Sequence, residues 1–123
     1  MNKAAKQGAV ERWTVDAGAA DVATLHIPAN AQRERIFDID VRFVVRVPDP
    51  AESAWHAMRV ELDGAQQWSR RLASANPGQT DSLDYHCRRA VGLGQALRVR
   101  AVTQVGGVAR LQLLIEAEEL PAR

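Results

Sequence analysis

The stretch that decides the fold is ERIFDIDVRFVVRV, residues 34–47. Its odd positions from Phe37 to Val47 are all apolar, and its even positions from Asp38 to Arg46 are charged except at Val44. Successive side chains of a β-strand point to opposite faces. This alternation therefore predicts a long strand with one face in a hydrophobic core and the other in water.

The same period of two recurs along most of the chain, between residues typical of turns. Alternating runs are centred on residues 13–15, 22–27, 34–47, 58–62, 68–72, 83–87, 97–101 and 111–117. No run of helical period is longer than a turn or two. About eight strands at fairly regular spacing predict an all-β fold, namely an antiparallel β-sandwich of the jelly-roll type, with a closed barrel as the alternative.

Two β-hairpins are predicted within this pattern. Asp63-Gly64 separates two alternating runs, which is a strong hairpin signal. A three-residue loop over residues 62–64 would place Met58 opposite Trp68 on the inner face. The second hairpin is predicted between residues 97–101 and 111–117, through a loop at residues 106–108.

Length and composition predict one ordinary globular domain. The chain has 123 residues, of which 46% are hydrophobic and 25% are charged. These values are typical of a single folded unit, which we expect to span residues 11–123 after a mobile segment at residues 1–10. Sixteen basic and fifteen acidic residues give a net charge of +1. This balance, with few aromatics among the arginines of the C-terminal half, argues against nucleic acid as a partner.

Cysteine content and hydropathy suggest a compartment. Cys87 is the only cysteine, so no disulfide forms within the chain. Small secreted domains usually depend on disulfides, which favours a reducing environment here. The first residues lack the apolar stretch of a signal peptide, and no run reaches the length of a membrane helix. We therefore expect a cytoplasmic protein that does not contact membranes.

No catalytic or metal-binding motif is present. The three histidines, His26, His56 and His86, are far apart, whereas metal-binding jelly rolls use closely spaced histidines. Cys87 and His86 are neighbours on a strand, so they point to opposite faces and cannot form a nucleophile–base pair. The sequence therefore predicts no catalytic residue, no metal site and no cofactor.

Two strand faces nevertheless carry pairs of polar side chains suited to chemistry. Asp38 and Asp40 share one face, and Asp84 and His86 share another. We interpret these faces as solvated surfaces whose carboxylates pair with arginines such as Arg88. The alternative is a small hydrolase-like enzyme, which requires the Asp and His side chains to converge in three dimensions.

A candidate binding surface follows from the positions of the aromatic residues. Trp13 and Trp68 share parity with core positions, whereas Trp55 has the parity of the outward-facing Arg59 and Glu61. A polar surface with one aromatic ring is suited to binding a sugar or another protein. The alternative is that Trp55 tucks against the edge of the sandwich. The predicted site comprises Trp55, Arg59, Glu61, Gln67, Ser69 and Arg71.

The strand pattern, including the hairpin VELDG at residues 60–64, is similar to that of sandwich-type carbohydrate-binding modules. The likeness covers the strand pattern and matches no binding motif of that class. The absence of catalytic motifs and the candidate surface around Trp55 favour a non-catalytic binding or assembly domain. Its partner would be a protein or a carbohydrate, and homo-oligomerisation stays open.

Overall fold

The computed structural model describes residues 10–121, and the segment predicted to be mobile lies almost wholly outside them. Eight antiparallel strands follow one another: β1 (Arg12–Asp16), β2 (Val22–Ile27), β3 (Arg35–Arg46), β4 (Trp55–Leu62), β5 (Ala65–Ala73), β6 (Thr80–Val91), β7 (Leu97–Gly106) and β8 (Ala109–Glu119). All eight predicted strands are present. Over this range no helix is long and apolar enough to cross a membrane.

The strands form two four-stranded sheets. Sheet I has the order β1-β8-β3-β6 and sheet II has the order β2-β7-β4-β5. The chain passes from one sheet to the other at every connection except the one between β4 and β5 and therefore has the jelly-roll arrangement. The predicted antiparallel sandwich is confirmed, and the two separate sheets distinguish it from a closed barrel.

The alternation in β3 places its apolar residues in the core between the sheets. Phe37, Ile39 and Phe43 are fully buried, while the charged residues between them face solvent on the outer surface of sheet I. β3 lies inside sheet I and pairs with both β6 and β8. One strand therefore contributes much of the core, because every inward-facing residue from Phe37 to Val45 is buried between the sheets.

The first predicted hairpin is present, but its turn is different. Asp63 and Gly64 form a two-residue loop with φ of 50° and 84°, and Leu62 pairs with Ala65. Positive φ at both positions is typical of the turns that match the twist of paired strands. The predicted three-residue loop is therefore wrong.

The extra residue lies further along β5, as a bulge at Gln67. The register shifts there, so that Val60 pairs with Trp68 and Met58 pairs with Arg70. The bulge keeps Trp68 on the inner face, where the apolar pattern requires it. The predicted pairing of Met58 with Trp68 is therefore wrong, because Met58 pairs with Arg70, two residues further along β5.

The second predicted hairpin does not exist. β7 pairs with β2 and β4 in sheet II, whereas β8 pairs with β1 and β3 in sheet I. The two apolar faces cover each other across the core instead of lying side by side. A short connection at residues 107–108 joins the sheets, and Gly107 has a positive φ of 72° there.

The side of the sandwich between β5 and β6 is closed by aromatic side chains. Trp68 and Tyr85 stack with ring centroids 5.0 Å apart. Next to this pair, Cys87 is half-buried, and burial raises the pKa of its thiol. Trp68 therefore packs at the margin of the core, as its parity predicts.

A network of charged side chains ties the beginning of β1 to neighbouring elements. The carboxylate of Glu11 accepts hydrogen bonds from Trp13 Nε1 at 3.0 Å, Arg35 Nη1 at 2.7 Å, Arg33 Nη2 at 3.1 Å and Asn30 Nδ2 at 3.2 Å. Burial alone would raise the pKa of Glu11, but these four donors together lower it from 4.5 to about 2.

The same network reaches the end of β8. Arg33 Nη2 also donates to Glu119 Oε1 at 2.6 Å, and the backbone N–H of Glu11 donates to that oxygen at 3.0 Å. The buried Arg35 donates in addition to the carbonyl of Gln95. The two arginines and two carboxylates therefore hold β1, β3 and β8 together at one end of the sandwich.

Candidate functional site

The predicted binding residues on β4 lie on the outer face of sheet II. Trp55, Arg59 and Glu61 alternate with buried side chains along this strand. In the sheet, Arg59 lies between Ser69 of β5 and Val102 of β7. This face therefore combines side chains of β5, β4 and β7.

The ring of Trp55 is covered rather than free. The Arg71 guanidinium carbon lies 3.8 Å from the ring centroid, in a cation–π contact. The ring also lies over Gly106, where an added Cβ would be 2.0 Å from Trp55 Nε1. Trp55 is thus half-buried. It is neither the fully exposed ring of the first prediction nor fully tucked against the edge of the sandwich, as the alternative predicts. It acts as a support beneath Arg71.

Glu61 holds two arginines on the same face. Its Oε2 accepts a hydrogen bond from Arg59 Nε at 3.0 Å, and its Oε1 lies 3.6 Å from Arg100 Nη1. Glu61 is mostly buried beneath these side chains, whereas Arg59 remains partly exposed. The carboxylate therefore orients Arg59 without covering its remaining donors.

A shallow depression of about 270 Å³ lies next to Arg59, and Arg70 and Arg71 of β5 also line it. Its lining combines the small side chains of Ala57 and Ser69 with longer polar side chains. We name it the β4–β5–β7 depression. Its lining comprises Ala57, Met58, Arg59, Gln66, Ser69, Arg70, Arg71, Val102 and Gln104.

The structure therefore brings together part of the predicted site. Arg59, Ser69 and Arg71 line the depression, with Trp55 and Glu61 supporting two of them. Gln67 lies in the bulge outside the lining, and its amide nitrogen donates to the carbonyl of its own strand at Ala65, 3.1 Å away.

Sequence reasoning missed the contribution of β7. Val102 and Gln104 line the depression because β7 lies next to β4 in sheet II. Nothing in the local pattern of either strand specifies that neighbour. The alternation in β7 predicts that Val102 and Gln104 point outward. It does not predict that β7 lies next to β4, so it could not place these residues in the site.

The charge of this face is strongly one-sided. Among the described strand residues that point outward from sheet II, Glu61 is the one acidic side chain, against Arg59, Arg71, Arg98 and Arg100. In the part of the chain that the structure describes, Arg71 and its neighbour Arg70 form no ion pair with a carboxylate. Their guanidinium donors remain available to a partner.

The outer face of sheet I carries the residues of the enzyme alternative. His86 Nε2 lies 3.3 Å from Asp38 Oδ1, and Arg88 Nε donates to the same oxygen at 3.0 Å. The hydrogen bond from Arg88 lowers the pKa of Asp38. Arg42 lies 3.8 Å from Asp84. These contacts match the predicted ion-paired surface, and residues 10–121 contain no metal-type cluster of three or more His, Cys, Asp or Glu side chains.

A buried polar pair lies under the Trp55 end of β4. His56 Nδ1 and Ser74 Oγ are 2.8 Å apart, and the histidine is fully buried. Its Nε2 has no hydrogen-bond partner, and its ring meets Phe43 edge-on. Burial lowers the pKa of His56, while Asp81 nearby acts in the opposite direction. The imidazole is therefore part of the core and kept neutral.

A wider depression, of about 1000 Å³, lies at one end of β3 and β6. It is mainly apolar, with the exposed Ile36 beside Ala90, Leu120 and Pro121. Among its charged residues, Arg35 and Glu119 belong to the Glu11 network and Arg88 pairs with Asp38, which leaves Glu34 without an ion pair to a described residue. It offers space but few free polar groups.

Comparisons with known proteins show the fold but no family. No protein-family model matches the chain, and no curated protein matches it. Its structure is similar to part of dimeric latent PorU from Porphyromonas gingivalis, with a TM-score of 0.54 and 12% identity over 89% of this chain. The chain spans only 11% of that PorU chain.

Two further solved structures are more distant. Eiger TNF from S. frugiperda has a TM-score of 0.48 and 7% identity, over 90% of this chain and 87% of its own. A family 35 carbohydrate-binding module from Clostridium thermocellum has a TM-score of 0.41 and 14% identity, over 83% of this chain and 96% of its own. Similarity at this level assigns no ligand to this chain.

Proposed function

We propose that this protein is a non-catalytic binding domain and that the outer face of sheet II binds its partner, a protein or a carbohydrate. The observation that carries the proposal is the Arg71 guanidinium held over Trp55 beside the β4–β5–β7 depression. The domain would act through these side chains, without a cofactor.

Preorganisation of the arginines supports this proposal. Trp55 fixes Arg71 from below, and Glu61 fixes Arg59 through a 3.0 Å hydrogen bond. Long side chains that are already ordered lose less conformational entropy when a partner binds. Planar guanidinium groups held in this way are suited to paired hydrogen bonds with a partner's oxygens.

The shape of the surface also favours an extended partner over a small molecule. Enclosed small-molecule sites usually have volumes of roughly 300–1000 Å³ and bury most of the ligand. The β4–β5–β7 depression has about 270 Å³ and is open to solvent along the sheet. A polypeptide or a glycan chain laid across the strands could use the depression together with the side chains around it.

The test is a ligand screen with matched variants. Wild-type protein, Trp55→Ala and Arg71→Ala would be applied to a glycan array and to a displayed peptide library, with Arg42→Ala as the control on the opposite sheet. The proposal expects at least one ligand that both sheet II variants lose and the control retains. Thermal melts would show that each variant is folded. Ligands captured equally by all folded variants would contradict the proposed surface.

A further inference from the structure

Strand β6 is an outer strand of sheet I and forms the longest free edge among the described strands. It pairs with β3 along all 12 of its residues, and no other described strand pairs with its opposite side. The other outer strands, β1, β2 and β5, have 5, 6 and 9 residues. The free side of such a strand presents alternate backbone N–H and C=O groups, to which a further strand can add.

The charged residues of β6 are separated by sign along the strand. The first half carries the acidic Asp81 and Asp84, and the second half carries the basic His86, Arg88 and Arg89. When two copies of such a strand pair antiparallel, the acidic half of each copy lies against the basic half of the other. Opposite charges across a strand pair stabilise a sheet, and like charges destabilise it. The edge of β6 is therefore complementary to a second copy of itself.

The other outer strands lack this combination of length and charge. β5 contains Arg70 and Arg71 and no acidic residue, so two copies of it would bring arginines against arginines. β2 has His26 as its one titratable residue. β1 has Arg12 and Asp16 at its two ends but offers only 5 residues for pairing. Of the described edges, β6 is thus the one suited to a second copy.

The charges also specify how the two strands align. In a symmetric antiparallel pair, one residue faces the same residue of the second copy. If Tyr85 is that residue, Asp84 faces His86 of the second copy on the outer face of the sheet, and Asp81 faces Arg89 on the other face. Each of these pairs occurs twice, because the arrangement is symmetric. No two charges of the same sign are then directly opposite.

The neighbouring alignments are less favourable. An alignment centred on Asp84 would place this carboxylate against its own copy. A centre at His86 would place the two imidazoles against each other, and a centre at Cys87 would place His86 against Arg88. Groups of like charge directly opposite each other destabilise a sheet. The charge pattern therefore selects Tyr85 as the centre.

The side chains of the central pair remain near the edge. Asp84 is 56% exposed, and its Oδ2 accepts a hydrogen bond from Ser82 Oγ of the same strand at 3.1 Å. His86 is 54% exposed, although its Nε2 lies 3.3 Å from Asp38 Oδ1 of β3. Both side chains are short, and directly opposite residues of adjacent strands are roughly 5 Å apart at Cβ. A carboxylate and an imidazole at that spacing can form a hydrogen bond.

We propose that this protein forms a two-fold dimer in which the β6 strands of two copies pair antiparallel about Tyr85 and join the two copies of sheet I into one eight-stranded sheet. The same patch of both copies forms the interface, as in other closed two-fold dimers. The symmetry axis is perpendicular to the joined sheet, so both copies present the outer face of sheet II on the same side. Two β4–β5–β7 depressions could then bind a partner with repeated sites more tightly than one.

The test is sedimentation equilibrium over a wide range of protein concentration, with charge reversals in the central pair. Asp84→Lys and His86→Glu are measured alone and then mixed in equal amounts. Each variant alone places like charges opposite each other at both symmetric positions. In the mixture, the introduced lysine of one copy faces the introduced glutamate of the other. The control is His26→Glu, the same reversal on another outer strand.

We expect wild type and the control to dimerise equally, and each variant alone to have a dimer dissociation constant at least about tenfold higher. The mixture should return to within a few-fold of the wild-type value. Alternate backbone amides of β6 in wild type should gain protection from hydrogen exchange as the concentration rises, and those of Asp84→Lys should not. Thermal melts would show that each variant is folded.

Three results would overturn the proposal. Wild type that stays monomeric at every concentration would exclude the dimer. A dimer that neither reversal weakens would exclude β6 as its interface. Rescue of Asp84→Lys by Arg88→Glu, and not by His86→Glu, would exclude the alignment about Tyr85. None of these results depends on which ligand sheet II binds, so the proposed function is tested separately by the ligand screen.

Discussion

The Glu11 network predicts a specific loss of stability in acid. Four side-chain donors surround the Glu11 carboxylate, which is only 21% exposed, and they lower its pKa from 4.5 to about 2. Protonation removes the charge that these donors stabilise and leaves Arg35, which is almost fully buried, without its carboxylate partner. The substitution Glu11→Gln makes the same change at every pH.

The magnitude follows from linkage between protonation and folding. A pKa difference of about 2.5 corresponds to roughly 3 kcal/mol of unfolding free energy. Because the folded pKa is the lower one, this contribution is complete above about pH 4.5. It falls as the pH decreases through the folded value of about 2. Glu11→Gln should therefore be about 3 kcal/mol less stable than wild type at pH 7, and the gap should close towards pH 2.

The assay is urea unfolding followed by tryptophan fluorescence, repeated across this pH range for both proteins. Other carboxylates titrate in both, so the difference between the two curves isolates Glu11. Glu52→Gln is the control, because Glu52 lies in an exposed loop and forms no ion pair with any described residue. A wild-type-to-Gln difference that stays constant from pH 7 to pH 2 would refute the reasoning, as would a difference no larger than that of the control.

Three further predictions concern the core and the support of the binding surface. Phe43→Ala should cost roughly 3–5 kcal/mol of unfolding free energy because Phe43 is fully buried. Arg42→Ala, on the solvent face, should cost less than about 1 kcal/mol. Equal denaturant midpoints for the two variants would contradict the assigned faces of β3. Gly106→Ala should lower the melting temperature and change the tryptophan fluorescence spectrum, because the added Cβ would occupy the position of the Trp55 indole ring. An unchanged fluorescence spectrum would contradict that contact. His56 has a pKa below 6.5 through burial, so stability should be complete above about pH 6.5 and fall below it, and His56→Gln should flatten this part of the pH profile.

The fold was predictable where a pattern is local to one strand. The alternation in residues 34–47 identified β3 and its buried face, and Asp63-Gly64 identified the turn between β4 and β5. The bulge at Gln67 was not predictable in position, because a longer turn and a bulge both restore the same parity. The pattern constrains which face a residue occupies and not where the extra residue lies.

The pairing of distant strands was beyond such patterns. An inward apolar face on β7 and another on β8 are compatible with side-by-side pairing and with packing across the core, and the chain adopts the second. The candidate site shared this limit. Alternation along one hairpin was enough to predict Arg59, Ser69 and Arg71. The depression is also lined by Val102 and Gln104, which belong to the neighbouring strand β7, and only the strand order of the folded sheet specifies that neighbour.

The position of the last two strands has a consequence for biosynthesis. β8 lies between β1 and β3, and β7 lies between β2 and β4, so both sheets are completed from their middle by the two strands of the domain that leave the ribosome after the other six. Until then only β4 and β5 have a sequence-adjacent partner in their own sheet. The nascent chain must therefore keep the apolar faces of β1 and β2 soluble without any neighbouring strand, while β3 has β6 as its one neighbour. Such non-local closure is slow, and the exposed strands are open to aggregation while it proceeds.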